Sequence, residues 1–152
     1  MARQSSFRTA TALTGPRWVA LARAAAWIFW TRAVLTLRPW NRVAPAFERD
    51  PVRSGPPNWS QAKIDLWAVE AVARRVLPEK PCLTQALVAR KLLRRHGVDT
   101  TLRLGAARTG QRGFRAHAWL EHNGTTVIGR TQGDSYIPFA PLSQSVDPEL
   151  NL

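Results

Sequence analysis

The sequence of 152 residues holds one cysteine, Cys82. A single cysteine excludes an internal disulfide framework, and no Cys/His cluster has the spacing of a zinc site. Neither a metal nor a cofactor is expected. A lone thiol fits a reducing, cytoplasmic location, which also keeps it reactive. Acidic residues are scarce, 10 against 22 Lys and Arg, for a net charge of +12. The excess is almost wholly arginine and is spread along the chain. It suits an acidic partner, such as a peptide, a protein or an anionic lipid surface. No nucleic-acid motif accompanies it, so nucleic acid is not an expected partner. Long uncharged apolar runs are missing too. The longest in the first apolar stretch lies between Arg23 and Arg32, far short of the roughly 20 residues a membrane span requires. No small-residue cleavage site of a signal peptide follows it, and no internal repeat is visible.

What is present divides into three parts. Residues 1–15, rich in Ser, Thr and Arg, read as a disordered tail. Residues 16–57 read as an N-terminal helix over Arg17–Arg38, stopped by Pro39, and a Pro-, Arg- and Gly-rich linker over Trp40–Pro57. Arg23 and Arg32 project to opposite sides of that helix at about 100° per residue. The helix is therefore expected to pack on its own domain, with Trp27, Phe29 and Trp30 available to a partner or to a membrane surface. Residues 58–152 read as the catalytic domain. A helix runs from Ser60, a plausible N-cap, to Leu77, with Ile64, Trp67, Ala68, Ala71, Val72 and Leu77 as its apolar stripe. Pro78 ends it.

A further helix begins at Cys82, behind Pro81, and runs to His96 with Gly97 as its C′ residue. The period then changes to two. Val98–Leu104 reads as a strand and Phe114–Glu121 as a second. Asn123-Gly124 is a two-residue hairpin turn, and Thr125–Gly129 is the return strand. Helices followed by an antiparallel sheet make the class α+β.

Cys82 in the first turn of a helix faces unpaired backbone N–H groups and the positive end of the helix dipole, which favour a thiolate. His117 stands on a half-buried strand. A lone cysteine is usually a small buried hydrophobe, and a lone strand histidine is usually structural. The two together, each in the right element and order, point to a thiol nucleophile and its base. A two-residue turn pairs His117 with Arg130 by counting, so residues 128, 130 and 132 would share its face. No carboxylate stands there. Gln132 is the nearest polar neighbour, and Asp134 reaches only if Gly133 bends the chain back. Glu121 shares the face of His117 but lies about 13 Å along the strand. The third member stays open between Asp134, Gln132 and none.

The segments Pro81-Cys82-Leu83-Thr84-Gln85-Ala86-Leu87, Leu92-Leu93-Arg94-Arg95-His96-Gly97-Val98, Leu102-Arg103-Leu104-Gly105 and Ala116-His117-Ala118-Trp119-Leu120-Glu121 resemble the transglutaminase-like leader peptidases of lasso-peptide biosynthesis. The resemblance covers about residues 17–142 and includes the closing Asp134-Ser135-Tyr136-Ile137-Pro138. It implies a transglutaminase-like (papain-like) cysteine protease fold with catalytic Cys82 and His117; the family carries an acid, usually Asp, after the His strand, and this chain departs from that at Gly129-Arg130, which leaves a shifted acid, Asp134, an amide substitute, Gln132, or a degenerate enzyme. It implies removal of the leader from a ribosomally made precursor peptide before macrolactam cyclisation. The implied partners are the precursor, a separate leader-recognition protein and an ATP-dependent lasso cyclase. Peripheral membrane contact through the N-terminal helix is a further expectation. Two other classes remain open: another thiol acyl-transfer enzyme of the same fold, an amidase or transglutaminase, and a non-catalytic scaffold or membrane-surface adaptor with an inert Cys82.

Overall fold

A computed structural model describes residues 15–77, 82–108, 113–129 and 136–139. Among these residues four helices precede a four-stranded antiparallel sheet, in the α+β order expected. The tail expected over 1–15 falls, but for Gly15, outside them, as do Pro78 and Pro81.

Helix α1 (Gly15–Leu37) buries Ala20, Ala24, Ile28 and Thr31, one residue per turn, against α3 and α4. Small residues at two of these positions let the backbones approach closely. By length and composition it is the one helix among the described residues apolar enough to cross a membrane. Its charge pattern has a tertiary reason: Arg23 reaches to Asp65 of α3, 2.6 Å away, whereas Arg32 faces solvent. The aromatic residues are distributed otherwise than a core helix would have them. Trp27 is half-buried, while Phe29 and Trp30 are 58% and 63% exposed.

The stretch read as a linker contains a helix, α2 (Trp40–Glu48), with Pro45 inside it. Proline and arginine content suggested a loop, but Trp40, Val43, Ala44 and Phe47 fall on one face, and Val43 is fully packed. The proline removes one i→i−4 hydrogen bond, and the helix ends three residues later.

Helix α3 (Trp59–Val76) starts one residue before Ser60. Asn58 is the N-cap, its side chain accepting from the Gln61 N–H at 3.1 Å. Of the expected stripe, Ala68, Ala71 and Leu77 are buried, but Trp67 lies at the margin with Arg17 over its ring. Helix α4 (Cys82–Arg95) is buried on nearly every side, since it lies between α1, α3 and the sheet. Gly97 closes it at φ +74°. The Gly97 and Val98 N–H groups donate to the carbonyls of Arg94 and Leu93, the Schellman closure that glycine at C′ permits. Val98 is thus spent on the cap, and strand β1 begins only at Thr101. It runs to Arg108, four residues past the expected end, because β2 (Phe114–His122) pairs with its whole length.

The sheet order is β3-β2-β1-β4, with β3 at Thr125–Ile128 and β4 at Ile137–Pro138. The Asn123-Gly124 turn has both residues at positive φ and pairs His122 with Thr125, as a two-residue hairpin should. Two residues further on, a bulge shifts the register, so Leu120 faces Ile128. The unshifted count would put residue 128 on the His117 face. Instead Ile128 is 2% exposed and joins Ala118 and Leu120 in the core. Hydrophobic burial of this isoleucine accounts for a slip that turn geometry alone does not predict.

Candidate active site

Cys82 is the first residue of α4, half-buried, with its side chain against the core that α4 shares with β2. His117 sits on β2 between Ala116 and Ala118. Since Ala118 and Leu120 are buried towards the helices, alternation carries His117, Trp119 and Glu121 to the other face of the strand.

The imidazole is gripped on several sides. Its Nε2 lies 2.6 Å from the carbonyl oxygen of Gly129. A carbonyl only accepts, so Nε2 carries the proton and Nδ1 keeps its lone pair. The ring stacks on Trp119, centroids 6.0 Å apart at 16°, and lies 4.8 Å from the Tyr136 ring. Trp119 is fixed in turn: its Nε1–H donates to Glu121 Oε1 at 2.9 Å, and Glu121 Oε2 accepts from Arg103 Nε at 3.0 Å. The Trp119 N–H, and after it the Arg103 guanidinium, hold the Glu121 carboxyl below the ordinary glutamate range.

Two glycines make this packing feasible. Gly105 pairs with His117 across the sheet, and a Cβ there would come within 2.9 Å of the Trp119 ring and 2.7 Å of the Ile137 carbonyl oxygen. Gly129 has φ +86°, and its Cβ would lie 2.9 Å from the Ala118 carbonyl oxygen. Only glycine turns the chain there and aims its own carbonyl at His117.

No hydrogen bond joins Cys82 Sγ to His117 in this structure: α4 packs on β2, but on the face of Ala118 and Leu120, whereas His117 stands on the other. Asp134 and Gln132 fall outside the described residues. Among the described residues the group that holds His117 Nε2 is the Gly129 carbonyl. Glu121 does not touch the imidazole, in keeping with its distance along the strand, but it braces the stacked tryptophan. The sequence offered a glycine after a short strand and no sign that its carbonyl would point inward.

The other two histidines are tied to the scaffold. His96 Nε2 lies 2.7 Å from Asp65 Oδ2, and His122 Nδ1 donates to the Asp99 carbonyl. The His96–Asp65 pair resembles half of a triad, but His96 follows the C-terminal end of α4. At 1.5 Å per residue it stands about 20 Å from Cys82. Among the described residues no group of three or more His, Cys, Asp or Glu could hold a metal.

Comparison with known families settles the class. The family model described as "Transglutaminase-like superfamily" matches residues 25–143, well over half of the chain. The chain belongs to the transglutaminase-like superfamily. This superfamily includes cysteine peptidases and transglutaminases, commonly cysteine-dependent enzymes. The match spans α4, β1 and β2, and so takes in both Cys82 and His117. No curated protein and no solved structure matches the chain.

Proposed function

We propose that this transglutaminase-like protein is a cysteine peptidase, and specifically one that removes the leader from a ribosomally made lasso-peptide precursor. What supports the peptidase reading is a helix-start thiol on an element packed against the strand of His117, together with an imidazole whose Nε2–H is already bonded to a carbonyl. Nδ1 is then the basic nitrogen available to a thiol. Hydrogen bonds between catalytic groups are often long before substrate binds and tighten in the complex. The leader-peptidase reading rests on the Cys-helix and Ala-His-Ala-Trp segments quoted above.

In the proposed reaction, Cys82 Sγ attacks the carbonyl of the leader–core peptide bond while Nδ1 of His117 takes the thiol proton. The tetrahedral oxyanion is stabilised by the backbone N–H of Cys82 at the helix start. Collapse breaks the C–N bond, and His117 gives its proton to the departing core amine. Water, deprotonated by the same imidazole, then hydrolyses the leader thioester and regenerates the thiol. Asp134 remains a proposed orienting acid. The freed core amine is the group a separate ATP-dependent cyclase would condense.

The test is co-expression with a lasso-peptide precursor and a leader-recognition protein, followed by mass spectrometry of the precursor. Cleaved core is expected from the native chain and none from Cys82→Ala. Cleavage at the native rate by Cys82→Ala would refute the assignment. Added primary amine distinguishes the alternative: a transglutaminase transfers the acyl group to the amine, whereas a peptidase yields the free acid.

A further inference from the structure

Between α2, α4 and β1 lies a cavity of about 370 Å³, within the usual size of small-molecule sites. Its walls are apolar and aromatic: Trp40 and Phe47 from α2, Leu87 from α4, and Phe139. Its polar part is cationic. Arg90 and Arg94, one turn apart on α4, both line it.

Arg94 is 8% exposed and mostly committed. Its guanidinium donates to the carbonyls of Glu48 and Asp50 and to Asp99 Oδ1, but its Nε finds no partner. Thr100 is 4% exposed, and its hydroxyl has no partner either. Arg90 has an unpartnered Nε and forms no ion pair among the described residues. Arg90 Nε, Arg94 Nε and the Thr100 hydroxyl are buried beneath the wall of the cavity, and what Arg90 presents to it is the rest of its half-buried guanidinium. Two carboxylates, Glu48 and Asp99, also line the cavity. Glu48 is exposed, and Asp99 is already spent on Arg94 and the Thr100 N–H. Burial first, and then the neighbouring Arg94, push the Arg90 guanidinium down from its usual value, against the opposing pull of Asp99, Glu48 and Asp50. Desolvated like charges at i and i+4 oppose folding. An anion on the Arg90 guanidinium would offset that penalty.

We propose that this cavity is a binding site for a carboxylate borne on an apolar body, with the Arg90 guanidinium as its polar contact and the Trp40, Phe47 and Phe139 rings around its apolar part. Arginine suits a carboxylate because its planar fork can donate two parallel hydrogen bonds. The carboxylate can come from an acidic side chain of a peptide or from a free organic acid. The site is independent of Cys82 and His117.

Titration of the full chain with 4-phenylbutyrate and with the neutral 4-phenylbutanamide, followed by calorimetry or ligand-observed NMR, tests the charge. The acid should bind at least about tenfold more tightly, the difference one charge-assisted hydrogen bond supplies. Arg90→Met should erase the preference and leave the melting temperature unchanged or raised. The capped peptide acetyl-Phe-Glu-Leu-amide and its Gln counterpart identify the source. A peptide acid bound more tightly than phenylbutyrate assigns the site to a peptide side chain, and the reverse order to a free acid. Equal binding of acid and amide, or an undiminished preference in Arg90→Met, overturns the proposal. Inorganic phosphate bound as tightly as phenylbutyrate overturns its apolar half.

Discussion

Single residues set the chemistry of the His117 face, and Gly129 is the most constrained of them. At φ +86°, alanine would be strained by about 1–2 kcal/mol. Its Cβ would also press on the Ala118 carbonyl, so the Gly129 carbonyl could not keep its place against Nε2. Gly129→Ala is therefore expected to lower kcat by about 10- to 1,000-fold, short of the ~10⁴ that loss of an orienting carboxylate costs a triad. Nitrogen-15 NMR of the imidazole should show loss of the single Nε2–H tautomer. Asp134→Asn should lower kcat less than Gly129→Ala, since the carbonyl already occupies Nε2. Equal losses in the two variants would assign the orienting role to Asp134.

Glu121 gives a pH-dependent handle at the same scale. Its carboxyl titrates below the ordinary glutamate range because the charged form accepts from Trp119 Nε1 and Arg103 Nε. A depressed folded-state pKa stabilises the protein above the unfolded value and is lost as pH falls through the folded one. The Trp119 indole N–H resonance is thus expected to stay constant from neutrality down through the normal glutamate range and to move only at more acid pH. In Glu121→Gln that movement should vanish. A midpoint at or above the ordinary glutamate value would contradict the bracing role.

Elements are joined by one buried junction. Asp65, 1% exposed on α3, holds Arg23 of α1 and His96 after α4. Removing the acid leaves two cationic or polar partners without an acceptor in a largely dry site, and breaking a buried pair in this way costs about 3–5 kcal/mol. Arg23 retains some access to water, so Asp65→Leu should fall near the lower end, about 3 kcal/mol by urea denaturation. A loss under about 1 kcal/mol would mean that helix packing alone holds α1. Gly97→Ala, at φ +74° and with its Cβ 3.2 Å from the Gly55 carbonyl oxygen, should cost roughly 1 kcal/mol or more through the C-cap of α4.

For the whole molecule, α1 decides integrity. Its buried face covers α3 and α4 with Ala20, Ala24 and Ile28 and supplies Arg23 to the Asp65 junction. Its other side leaves Trp18, Phe29, Trp30 and Leu37 more than half exposed. Deleting residues 1–39 uncovers apolar core and unpairs Asp65, and each large buried side chain is worth about 1.5–3 kcal/mol against a net stability of about 5–15. The truncated chain should be insoluble or melt far below the intact one. A soluble truncation with native melting would show the helix to be dispensable.

The sequence alone determined that helices precede an antiparallel sheet, the placement of Cys82 at a helix start and His117 on a strand, the hairpin at Asn123-Gly124 and the glycine cap at Gly97. These are local: period, capping and turn chemistry act within a few residues. Helix α2 was hidden because Pro45 and the arginines speak against a helix, and only the apolar face packed beneath them favours one. The register of β3 was decided by burial of Ile128, which outweighed the count from the turn. Which face of α1 would be buried depended on where Asp65 and the small residues of neighbouring helices lay. The partner of His117 was a backbone carbonyl, a group every residue carries and no sequence pattern marks. Its role comes wholly from the tertiary path that brings Gly129 against the imidazole.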